Sequence, residues 1–148
     1  MNSSNRPLLA LIDGHGLIHR SYHAIKEPLT VGKTGEVVTA PYGLSSTLIS
    51  IIQDLQPTHI IVALDKGRST FRHQWDANYK ANRTAMPQDL RDQMKRCREI
   101  ISSFGIPIYE HASYEADDLL GTLSKQARKL NIQSILISID SDIAQLVE

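Results

Sequence analysis

Seven carboxylates in this chain stand where oxygen-ligand chemistry could be done. Glu115, Asp117 and Asp118 fall within the stretch YEADDLL, directly ahead of a leucine pair. Like charges this close repel one another, and capping a helix takes one acid, not three. Asp13, Asp65 and Asp140 each close an apolar run, in LLALID (8–13), HIIVALD (59–65) and SILISID (134–140), and Asp142 follows Asp140 by two. A solitary Asp after a strand reads as a turn former or a cap. Three such residues in one chain read as a set. Seven carboxylates brought to one place would need cations. Oxygen-only ligands favour magnesium or manganese, and no Cys or His cluster has zinc spacing. Two such ions about 4 Å apart are the usual apparatus for phosphodiester hydrolysis, because they activate a water and stabilise the leaving oxygen.

The elements that must position these acids are legible as alternating patterns. The three runs above and IPIYEH (106–111) are rich in Ile, Val and Leu without alternation, as expected of strands covered on both faces. Helical spacing recurs in Leu44, Leu48, Ile51, Ile52 and Leu55, and again in Leu90, Met94, Cys97, Ile101 and Phe104 after Pro87. A third set is Leu119, Leu120, Leu123, Ala127 and Leu130, with Asn131 as its stop and Ser113 as a reasonable cap ahead of the acids. The segment SDIAQLVE reads as the start of a further helix. Strands alternating with helices predict an α/β domain around a parallel sheet, whose carboxyl-end edge would gather the strand-terminal acids.

Composition agrees with one soluble domain: 148 residues, 41% hydrophobic, 22% charged and formally neutral. The single cysteine, Cys97, suits a reducing compartment, and the start MNSSNRP lacks a secretory pattern, so a cytoplasmic location is expected. The neutral total hides a separation. From Lys66 to Arg98 nine Lys and Arg face only Asp76, Asp89 and Asp92. Phe71, Trp75 and Tyr79 lie at i, i+4 and i+8 there, with Arg68, Arg72, Lys80 and Arg83 interleaved. An aromatic stripe of this kind reads as core; basic residues among aromatics are also how single-stranded nucleic acid is gripped.

Six stretches carry a resemblance: LIDGHGLIHRSYHA, PYGL, ALDKGRSTFRHQWDANYKANR, MPQDLRDQ, YEADDLLGTLS and ISIDSDIAQLV. Together they resemble the 5′-3′ exonuclease (5′-nuclease) domain of bacterial DNA polymerase I, in its N-terminal resolvase-like part, within the flap endonuclease and PIN-like superfamily. The resemblance runs in family order from about residue 8 to residue 147. It implies a three-layer PIN-like fold, a mainly parallel sheet with helices on both faces, across residues 1–148. It also implies two magnesium or manganese ions held by Asp13, Asp65, Glu115, Asp117, Asp118, Asp140 and Asp142. Asp13, Asp65, Lys80 and Arg83 are thereby implied in catalysis, and Arg20, Arg72, Tyr79, Lys80 and Arg83 in DNA contact, with Tyr22 in the same segment as Arg20. The implied substrates are 5′ flaps, single-stranded 5′ ends and RNA primers on DNA.

Two departures accompany the match. Many relatives have Asp-Lys-Asp where this chain has Asp140-Ser141-Asp142, which keeps both acids and loses a cation. Family members also continue into a GD-x-SDN-x-PG-like segment with more acids and a helix–three-turn–helix that grips duplex DNA; neither lies within these 148 residues. The expectation is therefore the N-terminal part of a nuclease, weakly active by itself, or a DNA-binding module or half-nuclease completed by a partner chain, a C-terminal nuclease half or a polymerase domain. The Asp-x-Asp of ISIDSD also suits a haloacid-dehalogenase-type phosphatase or a topoisomerase–primase domain, but neither accounts for YEADD or YKANR.

Overall fold

Four parallel strands form the central sheet in the order β3-β2-β1-β4. The computed structural model describes residues 6–67, 71–76, 78–81 and 84–146. In chain order the elements are β1 (Leu8–Asp13), α1 (Gly14–Ala24), α2 (Thr39–Leu55), β2 (His59–Ala63), α3 (Phe71–Trp75), α4 (Gln88–Ser103), β3 (Ile108–Tyr109), α5 (Ala116–Lys129) and β4 (Gln133–Ile137). A 3-10 turn, Ser141–Leu146, follows β4. β1 is central, pairing with β2 from Leu9↔His59 to Asp13↔Ala63 and with β4 from Leu8↔Gln133 to Ile12↔Ile137. The chain builds outward from β1 through β2 to β3, then returns to place β4 on the other side of β1. That reversal opens a crevice beyond the carboxyl ends of β1 and β4, where sheets of this kind bind ligands.

Helices cover both faces, as an all-parallel sheet requires. Ile12, Val62 and Leu64 pack with α1, α2 and α4 on one face, through Ile18, Leu44, Leu48, Leu90, Cys97 and Ile101. On the other, Leu9, Leu11 and Ala63 pack against Ala116, Leu120 and Ala127 of α5, with Ile143 closing the end. Alternate residues of β1 thus serve opposite cores, which is why its sequence is apolar without a break. On the first face α1 and α2 approach closely at Gly43, where a Cβ would come within 2.9 Å of the Ser21 Cβ. The three-layer α/β architecture expected from the sequence is the one observed.

Element bounds shift for identifiable reasons. The run at 106–111 yields only the two-residue β3, which pairs with the end of β2 alone, while Ile106 turns into the core. The run at 134–140 leaves the sheet after Ile137, because the Asp140 N–H turns back to the Ser138 hydroxyl at 3.0 Å. Asn131, with φ of 57°, ends α5 as anticipated. Ser113 is not the cap of that helix: Glu115 is, which leaves Asp117 and Asp118 alone in the first turn. The end of the chain forms a 3-10 turn in place of an α-helix over 141–146. The aromatic stripe does not form either. α3 ends at Trp75, and Tyr79 sits in a separate turn closed by the Tyr79 N–H to the Asp76 carbonyl at 3.0 Å. Arg68 and Arg83 lie outside the described residues.

Candidate active site

The crevice edge brings together acids from three strand ends and the start of α5. Asp13 is buried at the end of β1, and its Oδ1 accepts the Gly16 N–H at 3.1 Å, capping α1. Its Oδ2 accepts the Ser138 hydroxyl at 2.8 Å, a bond that spans the crevice from β4. Gly16 is required here, since a Cβ would stand 2.4 Å from that Oδ2. Asp65, two residues past β2, accepts the Ala116 N–H at 2.7 Å, while its own N–H donates to His15 Nδ1 at 3.2 Å. Asp140 Oδ1 accepts the Asp142 N–H at 2.9 Å.

Asp117 is the acid on which these charges converge. Burial, then the negative charges of Asp13, Asp140 and Asp65, push its carboxyl up from 3.8 to about 6, against a small opposing pull from Lys80. Asp118, one residue on, behaves oppositely: its hydrogen bonds to the Arg72 guanidinium hold it below the ordinary carboxylate value. Arg72 meets Asp118 in a two-pronged fork with both N–O distances 2.7 Å. The same Asp118 accepts the Glu115 N–H at 3.0 Å, half of a capping box. Glu115, itself nearly buried, takes the Lys80 ammonium at 2.9 Å and the Tyr79 hydroxyl at 3.3 Å.

The seven acids therefore divide. Asp13, Asp65, Asp140 and Asp117 crowd one another, whereas Glu115 and Asp118 are engaged by the basic segment, and Asp142 is exposed at the rim. Among the described residues, no three are gathered closely enough to ligate one ion as they stand. Arg72, Tyr79, Lys80, Glu115, Asp117, Asp118, Asp140 and Asp142 line one open cleft of about 830 Å³. Arg20 is exposed on α1 and is not among the residues lining that cleft, and Tyr22 donates its hydroxyl to Asp89 instead. Arg83, expected beside Lys80, is outside the described residues. Ser138, His15 and Gly16 escape a reading by residue type, because each acts on a neighbour's carboxylate or backbone through geometry that spacing does not reveal.

An α/β sheet with aspartates at the carboxyl ends of its central strands, facing a cation-rimmed cleft, defines a class of acid-edge α/β domains. The chain belongs to the family described as 5′-3′ exonuclease, N-terminal resolvase-like domain, whose model matches residues 8–148. DNA polymerase I of Chloroflexus aurantiacus is 38% identical over 141 residues, covering 95% of this chain and 15% of that protein. DNA polymerase I of Bacillus subtilis is 38% identical over 143 residues, covering 97% of this chain and 16% of that protein. The chain thus spans about one-sixth of the length of these curated relatives. Among solved structures, T5 5′-exonuclease with divalent zinc ions bound superposes with a TM-score of 0.68 at 25% identity, covering 95% of this chain and 52% of that one. A bacteriophage T5 flap endonuclease in a pseudo-enzyme–product complex with DNA and metal ions has a TM-score of 0.67 at 23% identity, covering 95% and 52%, and supports the fold alone. No helix among the described residues is long and apolar enough to cross a membrane.

Proposed function

We propose that this chain is the acid-bearing part of a magnesium- or manganese-dependent 5′-nuclease that hydrolyses phosphodiester bonds in flap or 5′-ended DNA. The observation that carries the reading is the net negative charge gathered around Asp117 by Asp13, Asp140 and Asp65 at the sheet's carboxyl edge. Hard oxygen donors and an excess of negative charge fit a divalent cation, and T5 5′-exonuclease, which shares the fold, has divalent zinc ions bound. Asp13, Asp117, Asp140 and Asp65 are the first candidates to hold ions, with Glu115, Asp118 and Asp142 joining when their present partners release them. When bound, two ions would supply Lewis-acid activation of water and stabilisation of the leaving oxygen.

The chain's own residues do the rest. Ser138 and Gly16 hold Asp13 in one rotamer. Arg72 and Lys80, at the cleft rim, are placed to meet phosphate oxygens, Arg72 by a planar fork and Lys80 as a point charge. Tyr79 and Arg83 extend that contact along the strand in this reading, and Arg20 serves a more distant phosphate from α1. In this reading the chain takes part in removing RNA primers and 5′ flaps beside a polymerase domain, which kinship with DNA polymerase I supports.

The test is cleavage of a labelled 5′-flap substrate with magnesium or manganese. Cleavage lost in Asp13→Asn supports hydrolysis. Metal-independent cutting, or cutting indifferent to Asp13 and Asp117, contradicts it. A second reading, in which the isolated chain binds DNA and cleaves slowly or not at all, is favoured by one observation: Arg72 and Lys80 occupy Asp118 and Glu115.

A further inference from the structure

We propose that four rings at the mouth of the acid cleft, Trp75, Phe71, Tyr114 and His111, form a stacking platform for unpaired nucleobases of a single strand entering it. The proposal rests on the nuclease reading and adds to it the part of the substrate that is recognised.

The rings make a continuous chain. Phe71 meets Trp75 edge-on with centroids 5.2 Å apart, Tyr114 at 5.6 Å, and Tyr114 meets His111 at 5.1 Å. Only two of them, on α3, belong to the stripe that the sequence suggested; the other two come from the loop before α5. That loop and α3 are fastened by the Phe71 N–H to the Ser113 carbonyl at 3.1 Å. His111 is fixed in turn, its Nδ1 accepting the Ser113 N–H at 3.1 Å. The Phe71 backbone and the His111 ring are therefore tethered to one loop before any ligand arrives, which lowers the entropy cost of binding.

A core role does not account for these rings. Trp75 is 83% exposed, the most of the large hydrophobic residues among the described residues, and Tyr114 is 45% exposed. Phe71, Tyr114 and His111 line the same cleft as the acids. The Arg72 guanidinium lies over the Phe71 ring, 4.6 Å from its centre, so a cation is at hand for the phosphate that accompanies a base stacked on the neighbouring rings. Flat apolar faces next to fixed cations, leading to a carboxylate edge, match the repeating chemistry of a single strand: base, phosphate, then the bond to be cut. A duplex offers no free base face to such a surface.

Trp75 is the only tryptophan in the chain, so its fluorescence reports this site directly. The experiment titrates the metal-free protein with a short thymidine oligomer and with an abasic oligomer of equal charge, following fluorescence and anisotropy together. The expected result is quenching of Trp75 by thymidine but not by the abasic strand, with thymidine bound about tenfold more tightly. Trp75→Ala and Tyr114→Ala should each reduce that preference to near unity, and Trp75→Phe should keep most of it. Equal binding of the two oligomers, binding of thymidine without a fluorescence change, or no binding of either would overturn the platform. Manganese titration of the same proteins tests the acid site separately, so failure of the platform is distinguishable from failure of the nuclease reading.

Discussion

At Asp117 the physical chemistry of the site is most concentrated. Its folded-state carboxyl is raised to about 6 from 3.8, so the folded chain holds a proton that the unfolded chain releases between those values. Stability from this group therefore falls as pH rises through that window, and the penalty is fully present above pH 6. Asp118 runs the other way: its lowered value contributes stability above the ordinary carboxylate range, lost as pH falls through the lowered value. In metal-free buffer near neutral pH, Asp117→Asn should raise the melting temperature by about 2–4 °C, after discounting for partial exposure, and the gain should vanish near pH 4. Thermal denaturation across pH measures this; a variant less stable than the parent at neutral pH would contradict it. Ser138 is the second residue-scale case. Removing its hydroxyl leaves Asp13 Oδ2 and the Asp140 N–H without that partner, so Ser138→Ala should weaken manganese binding about tenfold or more, with Ser138→Thr restoring it. Calorimetric titration decides, and equal affinities would remove Ser138 from the site.

Among the elements, the basic segment over 71–81 and the start of α5 form a pair held by charge. Arg72 and Lys80 lie on Asp118 and Glu115, so the cations proposed to meet phosphate now neutralise two of the acids proposed to meet metal. In that proposal metal and these side chains compete for the same oxygens. Saturating manganese should therefore increase hydrogen exchange of the segment, and the same ions should strengthen oligonucleotide binding by freeing its cations. Exchange unchanged by metal would show that the two sets of charges do not communicate. Arg72→Ala should cost about 1–2 kcal/mol of stability, because it leaves a partly buried carboxylate without its fork. What was legible here follows from the same physics. β1, α4 and α5 were readable because periodicity and burial coincide in them. The position of Tyr79 was not, because it depends on a contact across 36 residues that no local pattern encodes; the cap at Glu115 is a local box with Asp118, hidden because Ser113 offers a commoner capping side chain two residues earlier.

For the molecule as a whole, the sheet order decides where function lies. Placing β4 beside β1 sets Ser138 and Asp140 opposite Asp13, and α5 delivers Asp117 to the same crevice. The strand-end aspartates announced that edge in the sequence; the order of the strands did not follow from the alternation of elements. The division of the seven acids was also hidden, since it is made by Arg72 and Lys80 folding back from a distant segment. With Glu115 and Asp118 so engaged, flap cleavage by the isolated chain should be slow, and faster with manganese than with magnesium; turnover at several per second, within the ordinary enzyme range, would show that these acids suffice alone. The central claim is that the strand-end aspartates form a divalent-ion site, and calorimetric titration of manganese into the chain and into Asp117→Asn tests it most directly. The account predicts saturable binding to the parent, accompanied by a rise in melting temperature, and loss of both in the variant. No binding to the parent, or binding of equal strength to the variant, would contradict it.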